Sequence, residues 1–332
     1  MNKKNWLSLI IVCAIALTSF NSCSKKDEGT TEDNGPKEWE RSSVFTSDPR
    51  NGAAGFAINN VGYVVGGYVK NEGVVNDGSS LRNNSWGTIA DFPGTARQMA
   101  VGFAINETGY VGLGSTGTED LNDFYKYDVK SDTWTKIADF PGRARYGAVA
   151  FTLGNVAYVG LGSTKTEARF SDFYKYDPAT DKWTEVPTPF KYKKAFAFAF
   201  VIGDKAYVGG GLANSSNLPE DFYSFDGKDW KPLADLNRKD DKYTYDVRKY
   251  NAGSFVIGNY GYVVSGRNGS SITNSVWKYE PATDSWTDKH QALTSDAREK
   301  AVSFALNDKG YIVTGVNGSF IFDSNFEFTP VR

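Results

Sequence analysis

Six cations recur at nearly constant spacing: Arg50, Arg97, Arg145, Lys194, Lys249 and Arg298, separated by 47, 48, 49, 55 and 49 residues. Such groups gathered by a repeat would make a carboxylate-binding centre, because Arg grips a carboxylate through two parallel hydrogen bonds and Lys as a point charge. Like charges about 10 Å apart repel by about 0.4 kcal/mol per pair in water, and by more where water is excluded, so an anion must offset them. Two sources satisfy this requirement. One is a ligand such as a sugar acid or an acidic peptide; the other is a carboxylate or carbonyl of the adjacent repeat. Carboxylates placed to act as acid or base are Asp241 and Asp246, within the segment 237–246, and Glu299 beside Arg298.

Other chemistries lack their residues. The chain has one histidine, His290, and two cysteines, Cys13 and Cys23. That scarcity argues against zinc, copper, Ser-His-Asp and Cys-His sites, so neither a metal nor a cofactor is expected. His290, in Thr287-Asp288-Lys289-His290-Gln291, reads as an exposed loop residue. With a net charge of −2 the chain carries no wholesale basic surface, and no nucleic-acid partner is expected.

The elements that position the cations follow from self-similarity. Thirteen residues after each cation stands a Tyr in a short apolar run: Tyr63, Tyr110, Tyr158, Tyr207, Tyr262 and Tyr311. A Phe precedes each Tyr by seven residues (Phe56, Phe103, Phe151, Phe200, Phe255, Phe304), and a Gly follows it by four (Gly67, Gly114, Gly162, Gly211, Gly266, Gly315). About fifteen residues after the Tyr come period-two aromatic runs such as Phe124-Tyr125-Lys126-Tyr127 and Phe173-Tyr174-Lys175-Tyr176, which read as half-buried strands. A Trp then opens a fourth strand at Trp86, Trp134, Trp183, Trp230 and Trp286. The sixth Trp is Trp39, one repeat before Trp86, so the first strand is expected to complete the last repeat and close a ring. The first repeat has Asp77-Gly78-Ser79-Ser80-Leu81 where the others have aromatics, and is expected to be looser.

Four antiparallel strands per repeat, six repeats and a shared last unit resemble the Kelch propellers over residues 38–332. The family's double glycine stands as Gly66-Gly67 and Gly210-Gly211, and becomes Leu-Gly, Ser-Gly or Thr-Gly elsewhere. The resemblance implies an all-β six-bladed propeller whose mouth is formed by the connections between blades and the loops between second and third strands. The segments 115–122, 163–171, 212–220 and 267–273 would surround that mouth. The insertion 237–246 is expected on the same face: Trp230 and Lys249 are 19 residues apart, against 11 or 12 in the other repeats.

The N-terminus reads as an export signal. Lys3 and Lys4 precede an apolar stretch from Trp6 to Leu17 that is too short for a comfortable membrane span. Ser22-Cys23 resembles the lipobox of Bacteroidetes lipoproteins, implying a signal peptide over 1–22 and lipid attachment at Cys23. Residues 24–37 contain no aliphatic or aromatic side chain and read as a tether. The expected location is the outer membrane, cell-surface or periplasm-facing, with the membrane as partner through the lipid.

Three functions follow as expectations. The first is a non-catalytic binding module for an anionic glycan or a protein ligand at the mouth, with the six cations as ligand contacts. The second, implied by resemblance to the Kelch-type N-acetylneuraminate epimerase, is an isomerase of sugar acids using Asp241, Asp246 or Glu299. The third is a structural scaffold. Resemblance to galactose oxidase stops at the fold, since its copper chemistry needs histidine ligands and an interior cysteine, and this sequence has His290 alone and no cysteine beyond Cys23.

Overall fold

The seven-residue spacing of Phe and Tyr is a hairpin register. In the first repeat, strand Ala54–Ile58 pairs with Val61–Val69 so that Phe56 lies opposite Tyr63, with the rings stacked 4.8 Å apart. The same opposition recurs in all six repeats, through Phe103 and Tyr110 to Phe304 and Tyr311. The structure, a computed structural model, describes residues 37–331 apart from 167 and 294–296. The expected signal peptide, Cys23 and all of the tether but Lys37 lie outside the described residues. Among the described residues no helix is long and apolar enough to cross a membrane.

Each repeat forms a four-stranded antiparallel meander with its innermost strand at Ala54–Ile58, Val101–Ile105, Val149–Leu153, Phe198–Ile202, Gly253–Ile257 or Val302–Leu306. These are the six blades of an all-β propeller. The last blade is completed as expected: Trp39–Arg41 pairs with Asn325–Phe328, Trp39 facing Phe328. Neighbouring blades interlock at the residue before each Tyr. A Cβ added to Gly109 would fall 2.4 Å from the Phe56 ring, and one on Gly62 would fall 2.3 Å from Phe304, which closes blade six onto blade one. Trp indoles add a second stitch, since Trp86, Trp134 and Trp183 donate to Ser43, Ala90 and Ala138 carbonyls of the preceding connection.

Two expectations change. Blade one is not loose: its second and third strands, Val61–Val69 and Gly73–Arg82, are the longest described. There Leu81, opposite Trp86, fills the place that Tyr127 takes opposite Trp134. His290 is not an exposed loop residue. Its side chain is 9% exposed, and its Nδ1 lies 2.7 Å from Glu38, which also accepts from the Val331 N–H. Burial alone would raise the Glu38 carboxyl, but hydrogen bonds involving His290 and the N–H groups of Gln291 and Val331 hold it below the usual carboxylate range.

Candidate functional site at the axial mouth

The repeated glycine sets the geometry. Gly67 and its five equivalents have φ between +76° and +105°. The residue before it is left-handed in every blade, φ +57° to +66°, whether it is Gly66, Leu113, Ser265 or Thr314. Only the second position lies outside the left-handed well that other residues visit, which is why the first glycine varies and the second does not. From this turn the Gly N–H donates to the carbonyl of the next blade's cation, as in Gly67 to Arg97 at 2.8 Å and, closing the ring, Gly315 to Arg50 at 2.9 Å.

The six cations are buried, at 0–2% exposure. Arg50 closes on both oxygens of Asp77, Arg97 on Asp123 and Arg145 on Asp172, each also donating to the carbonyl 16 residues onward. Lys194 reaches Asp221 Oδ1 at 2.6 Å. Arg298 meets Thr314 and Ser324 carbonyls and the Ser324 hydroxyl. Lys249 meets the Ser265 carbonyl and the hydroxyls of Thr273 and Ser275. Each side chain thus braces the turn of its own blade rather than the adjacent one. The six cations expected as ligand contacts do not line the axial cavity; three of them, Arg50, Arg97 and Arg145, engage both guanidinium NH2 groups with their own Asp. The partner was legible in the sequence, since Asp123, Asp172 and Asp221 each stand directly before a third-strand Phe, 26 or 27 residues after the cation.

The surface that faces the axis comes two and three residues after each cation. The third position is alanine in all six blades, Ala53 to Ala301, a period that is visible in the sequence. The second position is Gly52, Met99, Gly147, Phe196, Asn251 and Lys300. Their backbones form a closed hydrogen-bonded circle, each N–H donating to the carbonyl of the preceding blade at 2.6 to 3.1 Å, with Gly52 donating to Lys300. Together these residues line an axial cavity of about 120 Å³. A second cavity of about 290 Å³ shares Met99, Phe196 and Lys300 and extends over blades two and three to Gln98, Tyr146 and Lys165. Among the described residues Lys300 has no ion pair, and Lys165 Nζ donates to Thr118 O at 3.3 Å. The Tyr146 and Phe196 rings stand 5.8 Å apart.

The candidate acids and bases lie elsewhere. Asp241 is exposed in the insertion, and Asp246 is held by two bonds from Arg248 at 2.9 and 2.8 Å, which keep its carboxyl below the usual range. The insertion is not at the mouth. Val247 N–H donates to Leu236 O to pinch its base, Tyr245 is buried, and Arg238 stacks on Tyr243 and donates to Asp284 O in the outer turn of blade five. Glu299 comes nearest, yet its two oxygens accept from Arg267 Nε at 3.1 Å and Asn251 Nδ2 at 2.9 Å. Among the described residues no three His, Cys, Asp or Glu side chains cluster as metal ligands.

Comparison with known proteins agrees with this architecture. Residues 98–220 match the family model described as N-acetylneuraminate epimerase, and residues 248–289 match the Kelch motif. No curated protein matches the sequence. Among solved structures, the chain is similar to the one described as "Structure of YjhT", at 18% identity and a TM-score of 0.71, covering 85% of this chain and 96% of that one. The chain is a six-bladed β-propeller that carries a Kelch motif over residues 248–289 and is similar over residues 98–220 to the family model described as N-acetylneuraminate epimerase.

Proposed function

We propose that the mouth over blades two and three binds a carboxylated sugar, and that the protein is an exported, lipid-anchored binding module of the cell envelope. One observation carries the reading: the cavity of about 290 Å³ is lined by two lysines, Lys165 and Lys300, together with Tyr146 and Phe196. Amines favour a carboxylate, and aromatic faces favour the apolar face of a pyranose. All of the residues named as lining it, Lys300 excepted, fall within the stretch that matches N-acetylneuraminate epimerase. Calorimetric titration tests it. N-acetylneuraminic acid or a uronic acid should bind and its neutral methyl ester should bind at least about tenfold more weakly, a difference of about 1.4 kcal/mol. Equal affinities would move the search to protein partners.

The same family match supports a second reading, interconversion of the anomers of a bound sugar acid. Asp241, Asp246 and Glu299 do not line the cavity, so the proton-transfer group there would be Tyr146. Proton NMR of anomer exchange decides between the two: catalysis abolished by Tyr146→Phe supports the isomerase, and exchange at the uncatalysed rate supports binding alone.

A further inference from the structure

All six residues of the axial circle are left-handed: Gly52 at φ +62°, Met99 +53°, Gly147 +60°, Phe196 +59°, Asn251 +53° and Lys300 +55°. A circle that served only to close the ring would be least strained with glycine throughout, since side chains in this region meet the following carbonyl. Asn adopts the conformation most readily after glycine, and Met, Phe and Lys adopt it less often.

The side chains are arranged in pairs. A Cβ on Gly52 would fall 2.9 Å from Met99 Sδ, and one on Gly147 would fall 2.3 Å from Phe196 Cε1, so each glycine makes room for the large residue of the next blade. The third pair is Asn251 with Lys300, and it is polar. Asn251 is tied to Glu299, and Glu299 to Arg267, which stiffens this sector. Met99, Phe196 and Lys300 are each half-buried and line both axial cavities, so none of the three is sealed into the core.

We infer that the circle is a specificity device for a single sugar acid: Met99 and Phe196 receive the apolar face of one pyranose, and Lys300 takes its carboxylate. This rests on the reading of the mouth as a carboxylated-sugar site. At about 290 Å³ the cavity is at the small end of ligand pockets (~300–1,000 Å³), which suits one sugar residue rather than a chain.

The test titrates N-acetylneuraminic acid into the full chain and its variants Met99→Gly, Phe196→Gly and Lys300→Gly, each also followed by thermal melting. Relief of the left-handed strain should leave each melting temperature unchanged or raised by about 2–4 °C, while the dissociation constant weakens by about tenfold or more. Lys300→Gln keeps the backbone strain and loses the charge, so it should abolish the preference for the acid over its methyl ester. Ring variants that bind like the wild type overturn the inference. If Lys165→Met weakens binding while the ring variants do not, the mouth reading stands and the circle is only scaffold. If no acid binds the wild type, both fall. Should the glycine variants fail to fold, the side chains are packing elements, and an unchanged acid preference in Lys300→Gln then overturns the inference by itself.

Discussion

In blade three, Arg145 closes on both oxygens of Asp172 and lies 5.0 Å from the centre of the Phe140 ring. In blade five, the equivalent Lys249 meets a carbonyl and two hydroxyls, and Leu236, directly before the insertion, stands where blade three has Phe140. The difference extends to the indoles, for Trp134 and Trp183 donate to the preceding blade whereas Trp286 Nε1 has no partner among the described residues. Blade four is intermediate: Lys194 engages one oxygen of Asp221 and leaves Oδ2 without a described partner. In five blades the cation donates to the turn carbonyl, whereas the counter-group varies from a carboxylate to hydroxyls. At Lys249, which has no carboxylate partner among the described residues, burial acts on the cation unopposed.

The largest expected effect comes from breaking the complete brace. Arg145→Ala leaves Asp172 without its partner beside a buried space and should lower stability by about 3–5 kcal/mol in urea unfolding. A loss below about 1 kcal/mol would show that the braces are dispensable. It would also reopen these cations as groups available to a ligand.

The second effect is on pH dependence. Burial pushes the Lys249 ammonium down to about 7, far below the ordinary lysine value. Between about pH 7 and pH 10 the unfolded chain then binds more protons than the folded one, so Lys249 makes stability rise with pH through that window. Below pH 7 the lysine is charged in both states and its burial cost is constant. Lys249→Met should flatten the rise, gaining about 1 kcal/mol or more at pH 6 and little at pH 10. Thermal melts of the two proteins from pH 6 to 10 give the comparison, and parallel curves would mean that Lys249 is not the source.

The smallest effect concerns the indoles. Trp134→Phe removes the bond to Ala90 O, while Trp286→Phe removes none, so the first should cost about 1 kcal/mol more once the shared loss of ring volume cancels. Equal costs would show that the donor in blade two contributes nothing net.

Much of the fold was legible because its signals are local or strictly periodic. Phe seven residues before Tyr is a hairpin register, and Trp39 one repeat before Trp86 names the strand that closes the ring. The site was less legible. The cations were the most conspicuous periodic feature, yet they lie beneath the mouth rather than in it. The residues that face the axis, Met99, Phe196, Asn251 and Lys300, share no residue type and so give no pattern.

The sequence by itself determined the number of blades, the strand order and the closing strand, because burial of alternate side chains and a fixed hairpin register depend only on neighbours along the chain. Only the tertiary structure decided what each charge does. Whether Arg145 meets a ligand or Asp172, and whether 237–246 covers the mouth or the outer turn of blade five, depends on where six separate repeats place their turns in space. Electrostatic pairing acts over a few ångströms, and residues 27 positions apart, such as Arg145 and Asp172, come within that range only when the blade has folded.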